Sequence, residues 1–81
     1  MTIITKIEMG RVLTPAEAGA KDLYIQEQVA NQLTNGANTG LMGNKFGGIR
    51  VWSTIEAANA YVAWANANYN PPPESAVVLT I

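Results

Sequence analysis

The chain has 81 residues and a formal net charge of −1, and 14% of its residues are charged, well under the roughly 25% of an ordinary domain. That length accommodates one domain, spanning residues 1–81. There is no cysteine and no histidine, which excludes disulfides, thiolate metal sites, the commonest general base and the commonest zinc ligand.

Near-neutral charge argues against a nucleic-acid partner, which favours a basic face. No stretch approaches the ~18 apolar residues of a membrane span, and no apolar run of signal-peptide type follows Lys6. The expectation is a soluble, cytoplasmic protein with no membrane partner, no metal and no cofactor. A domain this small buries only about 60–65% of the surface of its unfolded chain. Without disulfides or metal, oligomerisation is the route to further burial.

Thr2 to Leu13 opens the chain as a period-two strand. Ile3, Thr5, Ile7 and Met9 share one parity; Ile4, Lys6 and Glu8 share the other. Thr14, Pro15 and Glu17 then form a helix start, with threonine at the N-cap, proline at N1 and glutamate at N3. Gly36, behind Asn35, is the expected stop. Inside this segment Gly19 weakens the helix, and Leu23, Ile25, Val29 and Leu33 share a strand-like parity. Asn35-Gly36 is also a hairpin signal. Helix is favoured over strand for residues 21–34 because Glu27 and Asn31 interrupt the alternation.

Ala37 to Gly48 carries four glycines in twelve residues and reads as a short strand, Thr39 to Met42, with a turn over Gly43 to Gly47. Ile49 to Ser53 is a strand whose Ile49 and Val51 face one way and Arg50 and Trp52 the other. Ser53 and Glu56 repeat the capping-box pattern ahead of an alanine-rich helix. That helix ends before Pro71 to Pro73, since a residue preceding proline avoids the helical region. Ser75 to Ile81 closes the chain as a strand with Val77, Leu79 and Ile81 inward.

Strand, helix, short strand, strand, helix, strand in 81 residues is the α+β, ferredoxin-like βαββαβ arrangement: an antiparallel sheet with two helices on one face. By parity the open face carries Ile4, Lys6, Glu8, Arg50, Trp52, Ala76, Val78 and Thr80. An exposed tryptophan beside apolar residues marks a contact surface. In the second helix Ile55, Ala58, Val62, Ala65 and Tyr69, flanked by Tyr61, form the core face. Trp64 projects from the opposite side, among Ala57, Ala60 and Ala67. No charge occurs from Ala57 to Pro73, so that back is a second candidate contact.

Catalytic motifs are missing. "GLMGNKFGG" lacks the G-K-[ST] ending of a phosphate-binding loop. Ser53 and Ser75 have no histidine to activate them, and the six carboxylates show no spacing suited to a catalytic pair or a metal cage. "PPPE" is a stiff connection rather than a P-x-x-P ligand. Lys45, Phe46 and Arg50 are too few for a nucleic-acid stacking groove.

The element order, with "RVWSTIEAANAYVAWAN" running from strand into helix, resembles the small dimeric α/β-barrel proteins. That resemblance implies two ferredoxin-like sheets packed face to face, and a role as cofactor-free monooxygenase, binding protein or structural protein. The histidine often found in catalytic members has no counterpart here. Separately, "GRVLTPAEA", "RVWSTIEAANAYVAW" and the proline-rich turn before a last apolar strand resemble small proteins of tailed phages, marine ones included. This second resemblance implies no activity.

The reading is a small homo-oligomeric protein, dimer or higher, with a structural or binding role and a phage setting. Two alternatives stay open. One is a binder of a small anionic ligand, with Arg50 and Trp52 lining a pocket between subunits. The other is a cofactor-free enzyme of the dimeric-barrel type. The candidate ligand- or partner-binding residues are Lys6, Glu8, Arg50, Trp52 and Trp64. No catalytic or metal-ligating residue is assigned.

Overall fold

The structure is a computed structural model that describes residues 1–35 and 48–81. The expected strand over 39–42, the turn over 43–47 and the stop at Gly36 lie outside the described residues. The protein is α+β, with an antiparallel sheet and two helices. The elements are β1 (Ile3–Glu8), α1 (Pro15–Ala30), β2 (Thr34–Asn35), β3 (Gly48–Trp52), α2 (Ile55–Asn68) and β4 (Ser75–Thr80). Three full strands, β3, β1 and β4, lie side by side, and the two-residue β2 adds to the outer edge of β3.

α1 begins as its sequence dictates. The Thr14 hydroxyl accepts from the Glu17 backbone N–H at 3.2 Å, and the Glu17 carboxylate accepts from the Thr14 N–H at 3.0 Å. The helix stops at Ala30, earlier than expected. Gln32 takes the left-handed conformation (φ 59°) and bonds back to the Val29 carbonyl, while the Leu33 N–H reaches Gln28. This paired closure satisfies the last carbonyls of the helix, with glutamine where glycine is usual. α2 begins one residue later than expected. Thr54 rather than Ser53 is the cap, accepting from the Ala57 N–H at 3.1 Å. The Ser53 hydroxyl instead donates to the Leu33 carbonyl at 3.1 Å, tying the two helix ends together.

Paired residues in an antiparallel sheet share a face. Ile3 pairs with Trp52 and Thr80, Thr5 with Arg50 and Val78, and Ile7 with Gly48 and Ala76. The helices cover this face. Thr5, Ile7, Arg50 and Trp52 are buried there, and Trp52 meets the α2 residue Tyr61 with ring centroids 5.1 Å apart. The core adds Met9, Leu13, Ile25, Ala57, Ala58, Ala65 and Tyr69.

This corrects the face assignment of two strands. Arg50, Trp52, Ala76 and Val78 lie under the helices, not on the open face; Val77 and Leu79 point outward. The physical reason is the register: Ala76 and Val78 pair with the buried Ile7 and Thr5, so Val77 and Leu79, opposite Lys6 and Ile4, fall on the other face. Ile81 too is exposed.

Candidate functional site

The five candidate binding residues separate onto two sides of the sheet. Lys6 and Glu8 project from the uncovered face, where Lys6 Nζ and Glu8 Oε1 form an ion pair at 3.1 Å with both side chains about half exposed. Around them the register assembles an apolar surface. Ile4 lies between Val51 and Leu79, and Lys6 between Ile49 and Val77. Val77 is 39% exposed and Leu79 42%, a large exposure for branched aliphatic side chains that follow one another on one face of β4.

Arg50, Trp52 and Trp64 belong to the other side. Trp52 is only 3% exposed, and its indole Nε1–H donates to Thr5 Oγ1 at 2.8 Å. Arg50 Nε–H donates to Thr34 Oγ1 at 3.0 Å, and the Thr34 hydroxyl in turn donates to the Val51 carbonyl. The Trp52 indole N–H and the Arg50 Nε–H, which burial would otherwise penalise, each find a threonine on a neighbouring strand. Trp64 does not occupy the outer back of α2. Its ring is half-buried, stacked on Tyr24 of α1 at 4.9 Å and on Tyr61 at 6.2 Å, with the Tyr69 ring edge-on at 5.5 Å. A residue three positions after Tyr61 sits beside it on a helix, and α1 comes down on that side. Arg50 and Trp52, the residues expected to line a pocket between subunits, are both buried within a single copy.

Two further groups emerge from the geometry. Lys21 of α1 is buried over the sheet at 4% exposure. Its ammonium pKa is lowered chiefly by burial; the neighbouring Asp22 charge opposes this, and the Arg50 guanidinium adds to it. Burial also pushes the Tyr61 phenol up to about 12, with Arg50 acting in the opposite sense. Lys21 escaped the sequence reading because a lysine on a helix is ordinarily solvated. Its one legible signal is the four-residue spacing to Ile25, the other buried residue of α1.

At the opposite end of the sheet, Arg11 grips Glu17 through both terminal nitrogens, at 2.7 and 2.8 Å, and donates to the Pro71 carbonyl at 3.1 Å. The Asn70 N–H also reaches Glu17, at 3.3 Å. This cluster fastens the β1–α1 connection to the α2–β4 connection. Beside it lies a recess of about 240 Å³ lined by Gly10, Arg11, Pro71, Pro72 and Glu74. A second recess, of about 220 Å³, is lined by Gln32, Thr34, Val51, Trp52 and Ser53.

Comparison with protein-family models, curated proteins and solved structures found no match. The functional reading therefore rests on the surfaces just described. No helix among the described residues is long and apolar enough to cross a membrane.

Proposed function

We propose that this chain is a small self-associating protein with a structural or adaptor role, and that the uncovered face of its sheet seats a second copy. The observation that carries this reading is the apolar surface of Ile4, Ile49, Val51, Val77 and Leu79 on β3, β1 and β4. The charges on that face suit a copy of itself. In a two-fold interface residue i meets j while j meets i. Lys6 and Glu8, two residues apart on one strand, then pair reciprocally across the axis.

The strand order β2-β3-β1-β4, all antiparallel, supports a ferredoxin-like βαββαβ reading, in which such a face is left open by the helices. Two copies packed this way would have the architecture of the dimeric α/β barrels. The phage setting, with the protein in the host cytoplasm, rests on the sequence resemblance alone.

Six residues at ~3.3 Å along three strands ~4.8 Å apart make a face of roughly 15 × 20 Å. That is smaller than the ~800 Å² per partner of a standard interface, so a micromolar rather than a nanomolar dimer is expected. Light scattering at tens of micromolar tests the reading, with Leu79→Lys as the paired variant. Leu79 is exposed, so the variant should fold normally and be monomeric. A wild-type chain that stays monomeric, or a dimer that ignores Leu79→Lys, would overturn the proposal.

A further inference from the structure

Among the described residues β4 has a strand on one side only, β1, and the ladder between them fixes which backbone groups face outward. Thr2 and Ile81 exchange both backbone bonds, at 2.6 and 2.8 Å. Opposed residues of an antiparallel pair alternate between bonded and non-bonded. The register runs without a bulge from Ile3 opposite Thr80 to Glu8 opposite Ser75. Leu79, Val77 and Ser75 therefore bond to β1, while Thr80, Val78 and Ala76 turn both N–H and C=O to the free edge. No other backbone bond engages Ala76, Val78 or Thr80 among the described residues.

An edge of this kind is ordinarily blunted by shortness, charge, proline or a bulge. The opposite edge is short, since β2 has two residues. β4 has six, SAVVLT, with neither charge nor proline. The helices do not close this edge: Ala76 and Val78 face them yet are only half-buried. α2, which packs on β4, carries Glu56 in its first turn and no other charge, so a second copy meets little repulsion there.

We propose that the free edge of β4 pairs antiparallel with β4 of a second copy, about a two-fold at Val78, and joins the two sheets into one. Centred on Val78, this pairing sets Val78 opposite itself and Ala76 opposite Thr80, so every outward N–H and C=O finds a partner. It also sets Val77 opposite Leu79 of the second copy on the uncovered face, and these are the exposed aliphatic residues of the strand. That match of β4 to its own reverse is what selects a second copy as the occupant. The contact is separate from the face-to-face one proposed above. Its two-fold axis is normal to the sheet, whereas the other lies between the two sheets, so both fit one closed assembly and either can hold alone.

Backbone amide exchange, followed residue by residue by NMR at about 50 µM and about 1 mM, tests it. Ala76, Val78 and Thr80 should exchange about threefold or more slowly at the higher concentration, as the paired fraction grows. Val77 and Leu79, bonded to β1, should be slow at both. Ala76→Pro removes an outward N–H and sets a ring in the path of the second strand, and it should abolish the concentration dependence. Leu79→Lys touches both contacts and does not separate them. If Ala76→Pro does not fold, the wild-type exchange decides alone. A chain that associates while Ala76, Val78 and Thr80 exchange at the same rate at both concentrations would overturn the edge pairing and leave the face contact standing. A concentration dependence retained in Ala76→Pro would overturn it too.

Discussion

The indole of Trp52 on β3 and the hydroxyl of Thr5 on β1 form a 2.8 Å hydrogen bond beneath the helices. Thr5 is fully enclosed there and Trp52 nearly so. Thr5→Val keeps the shape of the side chain and removes the acceptor, leaving a buried N–H without a partner. The expected cost is about 1–3 kcal/mol, read from the midpoint of a urea transition. In a Trp52→Phe background the donor is gone, and the same substitution should cost under ~1 kcal/mol. Equal costs in the two backgrounds would mean that packing, not the hydrogen bond, is what Thr5 supplies.

That bond also explains what was legible in the sequence and what was not. The inward parity of β1, the capping box of Thr14 and Glu17, and the end of α2 ahead of its prolines are local, and each appears in the sequence. The faces of β3 and β4 are not local. A strand reading "IRVWS" puts its aliphatic residues inside by default, whereas the sheet puts Arg50 and Trp52 there because Thr34 and Thr5 sit opposite to satisfy them. Those partners lie 16 and 47 residues away in the chain, and only the pairing register reveals them. Trp64 was misplaced for a related reason: what covers it is Tyr24, from the other helix. As a result the predicted site divided in two, Lys6 and Glu8 keeping their face while Arg50, Trp52 and Trp64 joined the interior.

Two backbone positions are poorer than they need be, and each predicts a stabilising substitution. Gly19 is inside α1, and a β-carbon built there meets no atom within 4 Å. Gly19→Ala should therefore add the propensity difference, about 0.8–1 kcal/mol, and raise Tm by ~4–8 °C.

Gln32 holds the left-handed conformation that closes α1. For an L-residue with a β-carbon this costs roughly 1–2 kcal/mol, and glycine relieves it. Gln32→Gly should raise the urea midpoint by an amount worth about 1 kcal/mol. A lowered midpoint would mean that the Gln32 side chain, which lines the recess beside Thr34, contributes more than its backbone costs.

Acid should unfold the protein partly through Glu17. The bidentate Arg11 bond, followed by the Thr14 N–H, lowers its carboxyl from 4.5 to about 2. A group lowered on folding stabilises above its unfolded value and loses that contribution as pH falls through the folded one. The Glu17 contribution is complete above pH 4.5 and declines towards pH 2. Glu17→Gln should lower stability at neutral pH and flatten its slope between those limits. Denaturant titrations at a series of pH values measure both effects, and an unchanged acid slope in the variant would assign the acid transition to another carboxylate.

The alkaline limb has the opposite sign. The chain has three tyrosines, Tyr24, Tyr61 and Tyr69, and burial raises the phenol pKa of all three. Tyr61 moves from 10.0 to about 12, and Tyr69 is displaced in the same direction, chiefly by burial and then by Tyr61 and Glu17. A phenol raised on folding contributes fully below its unfolded value, and that contribution is lost as pH rises through the folded one. Ultraviolet absorbance should therefore show little phenolate at pH 10 in the folded chain. The phenolate signal should then appear in step with the loss of helical circular dichroism, because ionising Tyr61 or Tyr69 releases the ring cluster that joins α1 to α2. Tyr61→Phe should reduce the steepness of that alkaline loss. Phenolate forming near pH 10 while helicity is intact would place the tyrosines in water and contradict the packing of Tyr24, Tyr61, Trp64 and Tyr69 between the helices.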